Sequence, residues 1–140
     1  MHNYDLDDTE RFVKVLDLEV PWAHTYANTE PGKTDRERRD NYRAAAQGKV
    51  GAIPDSPLWW AFRIGVCKTG RALDVDNVAK TIIDAFCAWQ ISKDMREGSP
   101  PAPGMGLYPN DTIADVRVLQ VVGIPSDTDN THIEIFACMR

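Results

Sequence analysis

The stretch between Asp74 and Trp89 most constrains what this chain can fold into, because it carries two incompatible surfaces. At about 100° per residue, with Lys80 at zero, Val78, Ile82, Ala85, Phe86 and Trp89 fall between about 140° and 240°. Asp76 and Asp84, four residues either side of Lys80, lie within about 40° of it. The spacing predicts a helix over 77–92 that buries one side and presents an Asp/Lys/Asp edge on the other. A helix with one apolar face needs a second layer to cover it.

The flanking segments supply that layer. Residues 11–20 end in alternation, with Leu16, Leu18 and Val20 to one side and Asp17 and Glu19 to the other, which reads as a half-buried strand. Pro21 and Trp22 close it, and a polar loop containing His24 and Tyr26 follows to Gly32. Thr34 and Glu37 form a capping box for a helix that runs to Gln47 and stops at Gly48. Leu58–Lys68 is aromatic-rich and reads as a central strand, with Trp59 and Trp60 on opposite faces. Beyond the Asp/Lys helix, residues 93–110 form a Pro/Gly-rich stretch, either a substrate-contacting flap or a tolerated insertion. Ile113–Val122 and Thr131–Met139 read as an antiparallel hairpin about a polar turn. The order β-α-β-α-β-β predicts a single α+β domain, a mixed sheet of about four strands with helices packed on it.

Composition narrows the classes. At 140 residues, 43% hydrophobic and 26% charged, the chain is sized and balanced for one globular domain. No apolar run is long enough to span a bilayer, and the polar, acidic start is unlike a signal peptide, so no membrane contact and a cytoplasmic location are expected. Cys67, Cys87 and Cys138 are an odd number without paired spacing, which argues for buried free thiols over disulfides or a zinc site. The net charge of −5 runs against the basic footprint usual in nucleic-acid binders. Asp5, Asp7, Asp8 and Glu10 supply four of the negative charges, in a segment (1–10) expected to be a loose tail ahead of the folded domain, 11–140.

The chemistry concentrates at the mouth of the 77–92 helix, where Asp74, Asp76, Asn77, Lys80 and Asp84 gather. Neighbouring carboxylates repel one another, and a divalent cation relieves the repulsion. Mg2+ takes oxygen ligands from one or two carboxylates together with substrate phosphates. Asp74 and Asp76, two apart, point the same way in an extended lead-in. The same residues also read as a helix N-terminus, with Asp74 or Asp76 as the cap.

The series Asp74-x-Asp76-Asn77-x-x-Lys80-x-x-x-Asp84-Ala85 resembles the signature of the RusA-type Holliday junction resolvases. Pro21-Trp22 and Arg39-Asp40-Asn41 echo the same family upstream. The resemblance implies a Mg2+-dependent nuclease, with Mn2+ as a substitute, that hydrolyses phosphodiesters at four-way junctions. It implies branched DNA as partner and a homodimer as the working form. It also implies a further acid ahead of a strand, commonly an Asp-Asp pair; Asn110-Asp111 supplies one carboxylate, and Asp115 is the alternative. On this reading Asp74, Asp76 and Asp111 hold the metal. Lys80 completes the catalytic group by stabilising transition-state charge or orienting the nucleophile. Asn77, Asp84 and Asp115 lie behind them: Asn77 supports the turn, and Asp84 ligates through water or positions Lys80.

Phosphate contacts are expected from Arg36, Arg39 and Arg43, which share one helix face, with Lys33 just ahead and Lys68 and Arg71 flanking the motif. Asp40 lies inside that stripe and offers intrahelical ion pairs instead. Two other functions use the same residues: a non-catalytic DNA-structure-binding module, and a Mg2+-dependent phosphohydrolase of nucleotides or flap DNA. The phosphohydrolase needs the carboxylates but little of the basic helix.

Overall fold

The computed structural model describes residues 4–24, 34–70 and 74–140. Among these, the elements run β1 (Phe12–Val20), α1 (Asp35–Ala46), β2 (Trp59–Lys68), α2 (Val75–Ala85), α3 (Ala88–Arg96), β3 (Val116–Pro125) and β4 (Asn130–Cys138). The result is an α+β domain with a four-stranded mixed sheet in the order β1-β4-β2-β3. β4 is antiparallel to both neighbours, and β3 runs parallel to β2.

Strand alternation sorts the side chains into two clusters. Leu16, Leu18, Phe62, Ile64, Ile133 and Ile135 point to the helical side and pack with Tyr42, Val78, Ile82 and Phe86. Each such fully buried large side chain contributes about 1.5–3 kcal/mol relative to exposure. Trp60 joins this core, whereas Trp59 faces the other way with Phe12, Ala61 and Phe136. The far side of the sheet is covered by the N-terminal segment. Residues 4–10, expected as a loose tail, are packed: Leu6 is buried, Tyr4 meets the Trp59 ring edge-on at 5.3 Å, and Asp7 pairs with Arg63 at 3.0 Å.

Three expectations need correction. The last two strands do not form a hairpin; β2 lies between them. The four-residue turn from β3 to β4 crosses the end of β2, where Ser126 N–H donates to the Lys68 carbonyl (3.0 Å) and Asp129 accepts from Thr69 N–H (2.8 Å). β3 also begins later than expected, at Val116, because residues 111–115 form a turn closed by Asp115 N–H and Val116 N–H on the Thr112 carbonyl. Finally, the helix expected over 77–92 is two helices. Phe86 and Cys87 leave helical geometry, and residues 107–109 pair there instead: Leu107 N–H donates to the Phe86 carbonyl, and Ala88 N–H to that of Tyr108. The break rotates Trp89 out of the core, leaving it 57% exposed.

Elsewhere the local signals hold. Thr34 Oγ1 accepts from Glu37 N–H as an N-cap, and Gly48 follows the C-cap of α1 with φ +77°. Cys87 and Cys138 are buried thiols, whereas Cys67 is only half-buried. His24, expected in a polar loop, is instead buried, with its ring stacked on Trp22. Among the described residues, no helix is long and apolar enough to cross a membrane.

Candidate functional site

α2 starts close against β3. A Cβ on Gly123 would stand 2.7 Å from Val75 Cγ1, so a larger residue there would force the Val75 side chain to shift. Asp74 takes the N-cap position, but its side chain makes no capping bond; Asn77 Nδ2 lies 3.5 Å from its Oδ2. Asp76 and Lys80 are exposed along one edge of α2, as their spacing predicts, whereas Asp84, four residues further on, is buried. Lys80 Nζ lies 3.6 Å from Asp84 Oδ2 and 3.8 Å from Asp111 Oδ2. Asp76, Lys80, Asp84 and Asp111 line a depression of about 190 Å³ floored by Ala79, Ile83 and Leu119. Asp74 is exposed and is not part of that lining, so the expected convergence of Asp74 with Asp76 and Asp111 is not formed; Asp76 shares the lining with Asp84 and Asp111, of which the last two lie within 4 Å of Lys80. A wider cleft of about 610 Å³ lies between α1 and residues 100–105 and contains none of these four residues.

What holds Asp111 against α2 is a set of bonds absent from the sequence motif. The last turn of any helix leaves carbonyls without intrahelical donors. Here Tyr108 Oη donates to the Ile83 carbonyl and Arg43 Nε to the Ala85 carbonyl (2.6 Å), on either side of Asp84. Burial pushes the Tyr108 phenol well above its usual range, so it stays protonated and able to donate. Trp89 N–H donates to the Pro109 carbonyl at 3.2 Å, which fixes the chain two residues before Asp111. Asp115 accepts from Asn110 N–H at 2.9 Å and so braces the same turn.

The cations expected on DNA are differently employed. Arg39 and Arg43 are 8% and 4% exposed. Arg39 makes a bidentate pair with Asp94 (2.8 Å for both bonds), and Arg43 reaches Asp94 at 2.9 Å and Asp40 at 3.1 Å. This corrects the phosphate-facing stripe: these two arginines lock α1 to α3. Burial works against the charge on Asp94, but bonds from Arg39, Gln90 and Arg43 prevail and hold its carboxyl below the usual range. Arg36 donates to the Glu97 carbonyl, and Lys68 pairs with Asp129 at 3.1 Å. Lys33 and Arg71 lie outside the described residues.

Among the described residues, no group of three His, Cys, Asp or Glu side chains is close enough to form a ready-made metal site. The donor chemistry of the depression does fit Mg2+: its ionisable ligands are all carboxylates, and the ion needs only one or two of them beside water and phosphate oxygens. Asp76 and Asp111 are the residues that would hold it, with Asp84 behind them against Lys80. No protein-family model and no curated protein sequence matches this chain.

Proposed function

We propose that the chain is a Mg2+-dependent endonuclease of branched DNA, hydrolysing phosphodiesters at four-way junctions as a homodimer. The observation that carries this reading is the placement of Lys80 within 4 Å of two carboxylates, in a depression that Asp76 also lines. The chemistry that bound Mg2+ would supply is Lewis acidity, which would polarise the scissile phosphate and lower the pKa of an attacking water. The residues do the rest. Asp76 and Asp111 flank the open mouth of the depression, and Asp84, buried beneath Lys80, keeps the ammonium aimed at it. Water adds to phosphorus and gives up a proton, one P–O ester bond breaks, and the departing oxygen takes up a proton from solvent, so that the products are a phosphate monoester and an alcohol. The Lys80 ammonium meets the charge that builds on the phosphoryl oxygens.

Cleavage of a labelled synthetic four-way junction tests this, with EDTA, the Asp76→Asn variant and a linear duplex as controls. Paired nicking of the junction alone, lost with EDTA and in the variant, is the expected result. Binding without cleavage makes the protein a DNA-structure-binding module.

One observation favours a second reading, a Mg2+-dependent phosphohydrolase of nucleotides or flap DNA. That activity needs the carboxylates but not a basic α1, and Arg39 and Arg43 are indeed committed to the interior. Release of phosphate from nucleotides, with the junction left intact, would establish it.

A further inference from the structure

Trp89 is 57% exposed, against 6% for Trp59 and 4% for Trp60. A single exposed apolar side chain is ordinary, so its setting matters. Lys93 lies one turn on, with Nζ 5.9 Å from the indole centroid, and Arg96 follows another turn on. Trp89, Ser92, Lys93 and Arg96 share an arc of about 100° on α3. The opposite side buries Ile91 and Asp94. The helix's one acid is thus turned inward and neutralised by Arg39 and Arg43, and the outer face carries positive charge only. Among the described residues, neither Lys93 nor Arg96 is ion-paired, in a chain whose net charge is −5. The start of this helix is also tied to the chain segment that carries Asp111. Trp89 N–H is bonded to the Pro109 carbonyl, and Asp111 is two residues further, so the Trp89 backbone lies within about 10 Å of it.

We propose that the outer face of α3 is a nucleic-acid contact, in which Trp89 stacks on an unpaired base at a branch point while Lys93 and Arg96 bind the phosphates beside it. An exposed indole beside unpaired cations is what single-stranded nucleic acid needs: a π-face for the base and point charges for the backbone. Bases inside a duplex cannot offer their faces, so the contact favours branched over linear DNA. Lys93 stands by the ring in the free protein, and its flexible stem lets the ammonium turn to a phosphate. The contact deepens the endonuclease reading and rests on it for the identity of the partner.

The test compares wild type, Trp89→Ala and the double variant Lys93→Gln/Arg96→Gln for binding and cleavage of a synthetic four-way junction and a linear duplex, with Asp76→Asn for binding alone. Trp89→Ala is expected to weaken junction binding about tenfold or more, to abolish the quenching of tryptophan fluorescence by the junction, and to leave duplex binding unchanged. The double variant should flatten the salt dependence, lowering its slope by about 1.5. The α3 substitutions are on exposed positions, and an unchanged Tm confirms an intact fold. Wild-type cleavage that neither α3 variant alters overturns the α3 contact and keeps the endonuclease. Binding that needs Trp89 without cleavage keeps the contact and rejects the endonuclease. Equal loss on junction and duplex overturns the unpaired-base contact, and no binding to either DNA overturns both.

Discussion

Lys80 sits between Asp84 and Asp111, and the two carboxylates reach it by different routes. Asp84 arrives through helix periodicity, four residues on, which is why the Asp76/Lys80/Asp84 edge is legible from residue spacing alone. Asp111 arrives through Tyr108, whose hydroxyl ties the 107–111 segment to the Ile83 carbonyl. Nothing local marks Tyr108, because its role exists only across 25 residues of chain. Tyr108→Phe removes one oxygen and leaves that carbonyl without this donor. The expected cost is about 1–3 kcal/mol of stability in urea unfolding. If the protein cleaves junctions, the rate constant should fall while junction affinity holds, because Asp111 loses its register with Lys80. An unchanged rate would reduce Tyr108 to a packing residue.

At the scale of elements, α1 and α3 are joined by a buried charge cluster. Asp94 is fully buried and accepts from Arg39, Arg43 and Gln90. Asp94→Ala removes the buried carboxylate that two buried guanidinium groups share, although Arg43 keeps Asp40 and the Ala85 carbonyl, and is expected to cost about 3–5 kcal/mol, read from the urea midpoint. Arg43→Ala should lose comparable stability, and combining the two should cost less than their sum, because they share one network. Since the Asp94 carboxyl is held below its ordinary value, its stabilisation is complete above that ordinary value and is lost as pH falls through the lowered one. Substituting these arginines therefore probes folding before it probes DNA. The basic stripe on α1 was visible in the sequence, and so was the Asp40 alternative; the deeper partner, Asp94, lies 55 residues from Arg39. The helix break at Phe86–Cys87 was equally hidden, because its cause is backbone pairing with residues 107–109.

Across the whole molecule, the far side of the sheet is held by charge as well as by apolar contact. Bonds from Arg63 and Lys14 outweigh burial and hold Glu134 at about 2, against an ordinary 4.5. A depressed carboxyl stabilises the fold fully above its unfolded value, and the stabilisation is lost as pH drops towards the folded one. The contribution is about 3 kcal/mol, lost between about pH 4.5 and 2. Glu134→Gln should lower stability at neutral pH and flatten the acid limb of an unfolding-versus-pH curve. Arg63 also grips Asp7, so the N-terminal segment belongs to the same assembly. Leu6→Ala should cost about 2–5 kcal/mol by opening the Phe12, Trp59 and Phe136 cluster. A loose tail would lose almost nothing.

By itself, the sequence determined what short-range periodicity and capping can express. It specified the alternation of β1, the Thr34 N-cap, the buried side of α2 and the succession of Asp76, Lys80 and Asp84 along one line of that helix. The class of fold followed from the order of these elements. Tertiary structure decided the insertion of β2 between β3 and β4, the inward turn of Arg39 and Arg43, the packing of residues 4–10 and the exposure of Trp89. Each depends on a partner tens of residues away, and burial, not local propensity, decides whether a cation faces a buried carboxylate or the solvent.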